Sequence, residues 1–376
     1  MSRIVSIETG RFDYAFAGEF KFFRPDSDGT VRRPSVLLRL TDEDGRQGWG
    51  QAVPIPSWTY ETVETIETTL SLYLAPILLG ADPTDIDDVH SRMNQAIRPG
   101  FSVGQPLCKA AVDLACYDLV GKQKGQAVCQ LLGGATRRAL TLSWTIASPD
   151  MQMIERQLEE GRERGYRHFN IKVGSPQSPA YDLELARKVR AFAPDCFLWA
   201  DANVGYSVET ALDVLPRLAD VGVDVMESPL PPNQIRGYQR LKRQGALPVL
   251  MDEGIISPVE LNEFIALKML DGVALKPARN AGIRPTWEIV NLLRAEGLLV
   301  LGSGLADPDL SLAASAHVFA WADIDYPCAL NGPQFLADSL AGSALRPDRD
   351  QLTIPTMPGL GLSLDERAEA ALTKCG

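Results

Sequence analysis

Five ionisable side chains each stand at the end of a short apolar run: Lys172, Asp201, Glu227, Asp252 and Lys276, at intervals of 29, 26, 25 and 24 residues. A lone carboxylate in such a place is ordinarily a helix cap or a surface charge, and a lone lysine a snorkelling or phosphate-binding one. Five in succession at nearly constant spacing are not accounted for in that way. Three converging carboxylates cannot all stay ionised without a cation beside them. Oxygen-only ligation with room for water and substrate suits Mg²⁺ better than zinc, which usually takes Cys or His. The two lysines bracket the acids in the chain, so an amine is expected on either side of the metal.

The elements that must position these groups come from the pattern around them. Apolar or β-branched runs recur with centres near 143, 170, 199, 226, 250, 274, 300 and 327, and each but the last is followed by a helix signal. The clearest is Ser257-Pro258-Val259-Glu260, predicted as an N-cap, a first-turn proline and a capping-box glutamate. Ser207 marks a helix start and Gly297 a helix end. Eight strands with seven intervening helices predict a modified TIM barrel of the (β/α)7β type over residues 136–335. An open doubly wound sheet is the alternative, but no GxGxxG follows a strand. In a barrel the charged strand ends fall side by side around the catalytic mouth, with strands 2 and 6 opposite each other. Lys172 and Lys276 would then face one another across it.

Residues 1–135 have a different rhythm, strands followed by helices, and are predicted to form an α+β capping domain. Val36, Leu38 and Leu40 lie in the first arm of a hairpin that turns at Asp44-Gly45. Helical spacing follows in TVETIETTLSLYLAPILL and CKAAVDLACYDLVGKQ. Residues 336–376 are expected to return to the cap.

Composition narrows the partners. The formal net charge is −11 and the charged fraction 23%, which argues against a nucleic-acid or anionic membrane surface. No signal peptide or membrane span is evident, and a cytoplasmic protein is expected. Six cysteines without a CxxC pair read as buried or free thiols.

The stretches NIKVG (170–174), DANVGY (201–206), MESPL (226–230), MDE (251–253), ALKPARNAGI (274–283) and PGLGL (358–362) together resemble the enolase superfamily, and within it the muconate lactonizing enzyme subgroup. The resemblance runs the whole chain. It implies Mg²⁺ held by Asp201, Glu227 and Asp252, with Lys172 and Lys276 as the general acid/base pair. It also implies lids near residues 16–24 and 53–60, carrying Phe20, Lys21, Phe22, Phe23, Arg24, Trp58 and Tyr60. Phe23, Arg24, Trp58, Asn170, Asn203 and Ser303 are the candidate substrate contacts, and a homo-oligomer is expected. Three positions depart from the subgroup's pattern. Asn170 stands where Lys-x-Lys usually begins, Ala281-Gly282 replaces Gly-Gly, and CALNGP carries Ala329 and Asn331 without the usual glutamate. The seventh strand, LLVLGSGLADPD, has no histidine, and His317 falls in the following helix as a structural residue, so His-dependent racemisation is disfavoured.

The expected reaction is removal of the α-proton of a small carboxylate to give an enolate. Two opposed lysines favour a racemase or epimerase. A dehydratase or cycloisomerase, a Schiff-base lysine aldolase and a non-catalytic ligand-binding barrel are the alternatives.

Overall fold

In the computed structural model, which describes residues 2–18, 20 and 22–375, the chain opens with three antiparallel strands, β1 (Ile4–Ala15), β2 (Arg32–Asp42) and β3 (Gln47–Ala52). The β2–β3 hairpin forms where the Asp44-Gly45 turn is predicted: Asp42 Oδ1 accepts from the backbone N–H groups of Asp44 and Arg46, and Gly45 takes φ +76°. Helices follow, among them α1 (Ile86–Ala96) and α2 (Pro106–Lys124). α2 lies against β3 through two glycines. A Cβ on Gly48 would meet Ala115 O at 2.2 Å, and one on Gly50 would meet Ala111 O at 1.9 Å. That approach leaves α2 buried along almost its full length. Its N-cap residue, Gln105, is left-handed with no capping side chain, so Glu61 supplies the cap, accepting from Leu107 N (2.8 Å) and Cys108 N (3.0 Å).

The rest of the chain is built on a curled parallel sheet. β4 (Trp144–Ile146), β5 (Phe169–Lys172), β6 (Leu198–Asp201), β7 (Val225–Glu227), β8 (Val249–Met251), β9 (Gly272–Leu275) and β10 (Leu299–Gly302) pair in chain order. Helices including α3 (Pro179–Phe192), α4 (Val208–Val221), α5 (Pro258–Ala266), α6 (Ile283–Ala295) and α7 (Asp309–Trp321) return the chain between or after them. The eighth predicted strand is reduced to Cys328 and Ala329, which bridge Leu142 on one side and Ser303 on the other. Cys328 N donates to Thr141 O and Ala329 N to Gly302 O, so the ring closes through a few bonds at a proline-preceded segment. The last strand, β11 (Thr373–Lys374), joins the edge of the first sheet against β1.

Inward and outward positions alternate as the pleat requires. Leu198 and Ala200 pack toward the helices, while Trp199 joins Val225, Leu250, Ala274, Leu301 and Ala329 inside the ring. Helix starts follow the sequence signals with one correction. Ser257 is the N-cap of α5, but it accepts from Val259 N, and Glu260 bonds the Ser257 hydroxyl instead of the backbone, so the reciprocal capping box does not form. Ser207 caps α4 through Thr210 N, and Gly297 ends α6 in the left-handed region. All six cysteines are buried free thiols, and among the described residues no helix is long and apolar enough to cross a membrane.

Candidate active site

The register of the parallel strands brings the five charged residues to one rim. Lys172 pairs with Asp201 across β5–β6, and Asp201 with Glu227 across β6–β7. Asp252 follows β8 and Lys276 follows β9. All but Lys172 are almost fully buried, and its side chain is 9% exposed.

Each lysine meets a carboxylate. Lys172 Nζ lies 2.5 Å from Asp201 Oδ2. Lys276 Nζ pairs with Asp252 Oδ2 and stands 3.5 Å from Glu227 Oε1. Burial alone would lower the Lys276 ammonium, but Asp252 and Glu227 outweigh it and hold it above its ordinary range. Burial, reinforced by Asp201, pushes the Glu227 carboxyl well above the ordinary range for a glutamate. Among the described residues no three His, Cys, Asp or Glu side chains stand in ligand geometry. The expected acids therefore share one rim without forming a cage, because Asp201 and Asp252 are drawn to the lysine amines beside them.

The donor set nevertheless fits a hard dication. It consists of three buried carboxylates on successive strands that repel one another. Asn203 Oδ1 and Glu253 Oε2 beside them are buried oxygens without a hydrogen-bond partner. Asn203 is held against Asp201 by two bonds, backbone N to Oδ1 (2.8 Å) and Nδ2 to Oδ2 (3.0 Å), and it and Val204 take positive φ to make that turn. Of the other candidate contacts, Asn170 is fully buried on the inner face two residues before Lys172, and its Oδ1 has no partner. Ser303 is buried at the end of the seventh strand.

Two residues of the expected lids stand over the lysines. Trp58 places its ring 4.5 Å from Lys276 Nζ and donates Nε1 to Glu253 Oε1 at 3.1 Å. The Phe20 ring lies 5.8 Å from Lys172 Nζ. Phe22 stacks on Trp58 at 4.3 Å, and Phe23 packs on Phe16 at 4.5 Å. Arg24 is exposed, and no hydrogen bond or ion pair among the described residues ties it to the rim, so it is not brought into the site. Lys21 lies outside the described residues. His317 is buried in α7 with Nε2 on Leu360 O at 3.1 Å, away from the rim, and burial pushes its pKa down to about 4.

Two residues were missed. Glu253 follows Asp252 directly, and Arg279 lies three positions after Lys276 with Nε 2.8 Å from Asp252 Oδ1. Both sit inside the MDE and ALKPAR stretches. The signal was the second charge in each, which a one-charge-per-strand count passes over.

Comparison with known proteins agrees with this fold. A family model described as the N-terminal domain of mandelate racemase / muconate lactonizing enzyme matches residues 27–133, and one described as enolase C-terminal domain-like matches residues 153–368. The chain is 30% identical over 341 residues to a chloromuconate cycloisomerase of Delftia acidovorans, covering 89% of this chain and 90% of that protein. It superposes on the muconate lactonizing enzyme of Pseudomonas putida with a TM-score of 0.89 at 27% identity, covering 99% of this chain and 100% of that one. It superposes equally on the N-succinyl Arg/Lys racemase of Bacillus cereus, with a TM-score of 0.89 at 25% identity over 99% of this chain and 98% of that one.

Proposed function

The chain belongs to the mandelate racemase / muconate lactonizing enzyme family, and on that premise we propose that it is a Mg²⁺-dependent isomerase that removes the α-proton of a small carboxylate. The observation that carries the reading is the pairing of Lys172 with Asp201 and of Lys276 with Asp252 and Glu227, at opposite ends of one arc of strand ends. Asp201, Glu227 and Asp252 are the residues that would hold the metal. When bound there, Mg²⁺ would supply Lewis-acid stabilisation of the enolate's second negative charge.

This chain's own residues do the rest. One lysine takes the α-proton at Nζ from one face of the substrate, and the other returns a proton from the opposite face, which inverts the centre. Asn203 fixes the Asp201 carboxylate through two bonds, and the Phe20 and Trp58 rings exclude water from the amines. Racemisation or epimerisation is the reading that uses both lysines. Cycloisomerisation is the second reading, carried by the names of the more identical relatives. The acidic surface agrees with a small-molecule substrate handled in the cytoplasm, and a homo-oligomer with an N-terminal cap (1–135), a barrel (136–335) and a returning C-terminal segment (336–376) completes the proposal.

The test is a panel of chiral carboxylates in D₂O followed by NMR. α-Exchange with Mg²⁺ that disappears in EDTA supports the reading. Exchange that survives EDTA, or borohydride trapping of substrate on either lysine, points to Schiff-base chemistry instead.

A further inference from the structure

The charges around the mouth can be counted, and the count constrains the substrate. Among the described residues the cations are Lys172, Lys276, Arg279 and Arg33. Lys172, Lys276 and Arg279 are matched by the carboxylates described above. Arg33 is completely buried, and its N–H groups are spent on the carbonyl oxygens of Pro34, Val53, Pro54, Leu305 and Ala306, beside Asp307. Against these four stand five acids, Asp201, Glu227, Asp252, Glu253 and Asp307, the last close enough to Lys276 to interact with it. The formal balance is one negative charge. A dication turns it into one positive charge, which a single substrate carboxylate cancels. A second carboxylate would find no further counter-charge among the described residues, and an uncompensated buried charge is costly.

Among the described residues, the surfaces that would meet the rest of the substrate carry no formal charge. Overhead are the faces of Phe20 and Trp58, with Phe335 behind Phe20 at 5.2 Å. Below Lys172 lies a neutral polar floor. Thr145, Asn170 and Trp199 are register partners on three adjacent strands, all fully buried, and Thr145 Oγ1, Asn170 Oδ1 and Trp199 Nε1 each lack a hydrogen-bond partner. Such a floor can bond a hydroxyl, amide or carbonyl group but cannot neutralise an anion.

Resting on the α-proton reading above, we propose that this site selects substrates with one carboxylate only, whose remaining part is aromatic or aliphatic with a neutral hydrogen-bonding group, and that it rejects dicarboxylates. The selection is made by Asn170 and its neutral neighbours below, and by the uncharged lid rings above.

A matched pair tests this. N-acetylphenylalanine and N-succinylphenylalanine share a reacting centre and differ by one distal carboxymethyl group, which carries the second carboxylate. Each is titrated against the Mg²⁺-loaded enzyme, with tryptophan fluorescence reading equilibrium binding and NMR in D₂O reading α-exchange. The N-acetyl compound is expected to bind at least tenfold more tightly and to be the one exchanged. Equal or tighter binding of the N-succinyl compound, or binding of neither, overturns the proposal. Exchange of the N-succinyl compound alone would sink the charge selection and leave proton abstraction standing, whereas no Mg²⁺-dependent exchange across a panel of chiral carboxylates would sink the reading beneath it. Asn170→Lys, with folding verified by circular dichroism, adds the missing charge. It should raise affinity for the N-succinyl compound tenfold or more, and an unchanged preference in that variant also overturns the proposal.

Discussion

Trp58 and Glu253 join the cap to the barrel directly over Lys276. The indole Nε1 donates to Glu253 Oε1 at 3.1 Å while the same ring lies 4.5 Å from Lys276 Nζ. One side chain therefore both latches the second lid and shields the amine. The two contributions can be separated. Trp58→Phe keeps a ring over the ammonium and loses the bond to a charged acceptor, worth about 2 kcal/mol. Trp58→Ala loses in addition a cation–π contact of about 1 kcal/mol. We expect kcat/KM to fall roughly 30-fold in the first variant and more than 100-fold in the second. Equal losses in both would show that the ring over Lys276 contributes nothing.

The lysines make a sharper prediction, because the two-base proposal assigns them to opposite faces of the substrate. If one deprotonates one enantiomer and its partner the other, Lys172→Ala and Lys276→Ala should each abolish inversion. Each variant should still exchange the α-proton of a single enantiomer with deuterium, and the two variants should retain opposite enantiomers. Loss of inversion should amount to at least roughly 10³-fold. Inversion retained in either variant contradicts the two-base scheme, and exchange of the same enantiomer in both places the amines on one face.

Much of this arrangement of charges is legible in the sequence, for a physical reason. A parallel barrel repeats one βα unit, so charged strand ends recur at the unit's length, and the intervals between Lys172 and Lys276 expose them. Asn170 and Asn203 could be placed by the same counting. What could not be counted were contacts between segments far apart in the chain. Trp58 and Glu253 are 195 positions apart, and Arg279 reaches Asp252 through a turn whose shape local spacing does not encode. The exposure of Arg24 was not legible, because a charged residue in such a loop has no periodicity to say whether it faces the site or solvent. The reduced eighth strand was overestimated because an apolar run there, IDYPCAL, satisfies the pattern while closing the ring through two residues.

Gly282 gives a stability prediction at the junction of cap and barrel. It takes φ +115°, and a Cβ there would meet Asp113 Cγ at 2.3 Å. Asp113, on α2, caps α6 by accepting from Ile283 N at 2.5 Å and also accepts from Arg284 N at 3.3 Å, while His90 Nε2 holds its other side at 2.7 Å. Gly282→Ala therefore combines backbone strain of about 2 kcal/mol with loss of a cap worth about 1 kcal/mol. Thermal unfolding should shift down by roughly 4 °C. Ala281→Gly next to it, where Ala already sits at φ +62°, should raise the melting temperature or leave it unchanged. A neutral outcome for Gly282→Ala would mean that α2 can move away from α6 at no cost.

Glu61 sets a pH dependence that can be isolated by difference. Burial raises its carboxyl from an ordinary 4.5 to about 7, against the pull of the two N–H groups it caps at the start of α2. Between pH 4.5 and 7 the folded chain thus holds a proton that the unfolded chain has released. Folding is favoured at the acidic end of that window, and stability is lost as pH rises through it, levelling off above 7. Glu61→Gln has no such proton. Chemical denaturation of both proteins at pH 5.5 and pH 8 should show the wild type losing about 2 kcal/mol relative to the variant on going to the higher pH. His317 acts in the opposite sense, since its lowered pKa removes stability as pH falls from 6.5 toward 4, but it is present in both proteins and cancels in the difference. A difference that stays flat between the two pH values would show that the two backbone donors of α2 already hold Glu61 ionised, and that the helix cap outweighs its burial.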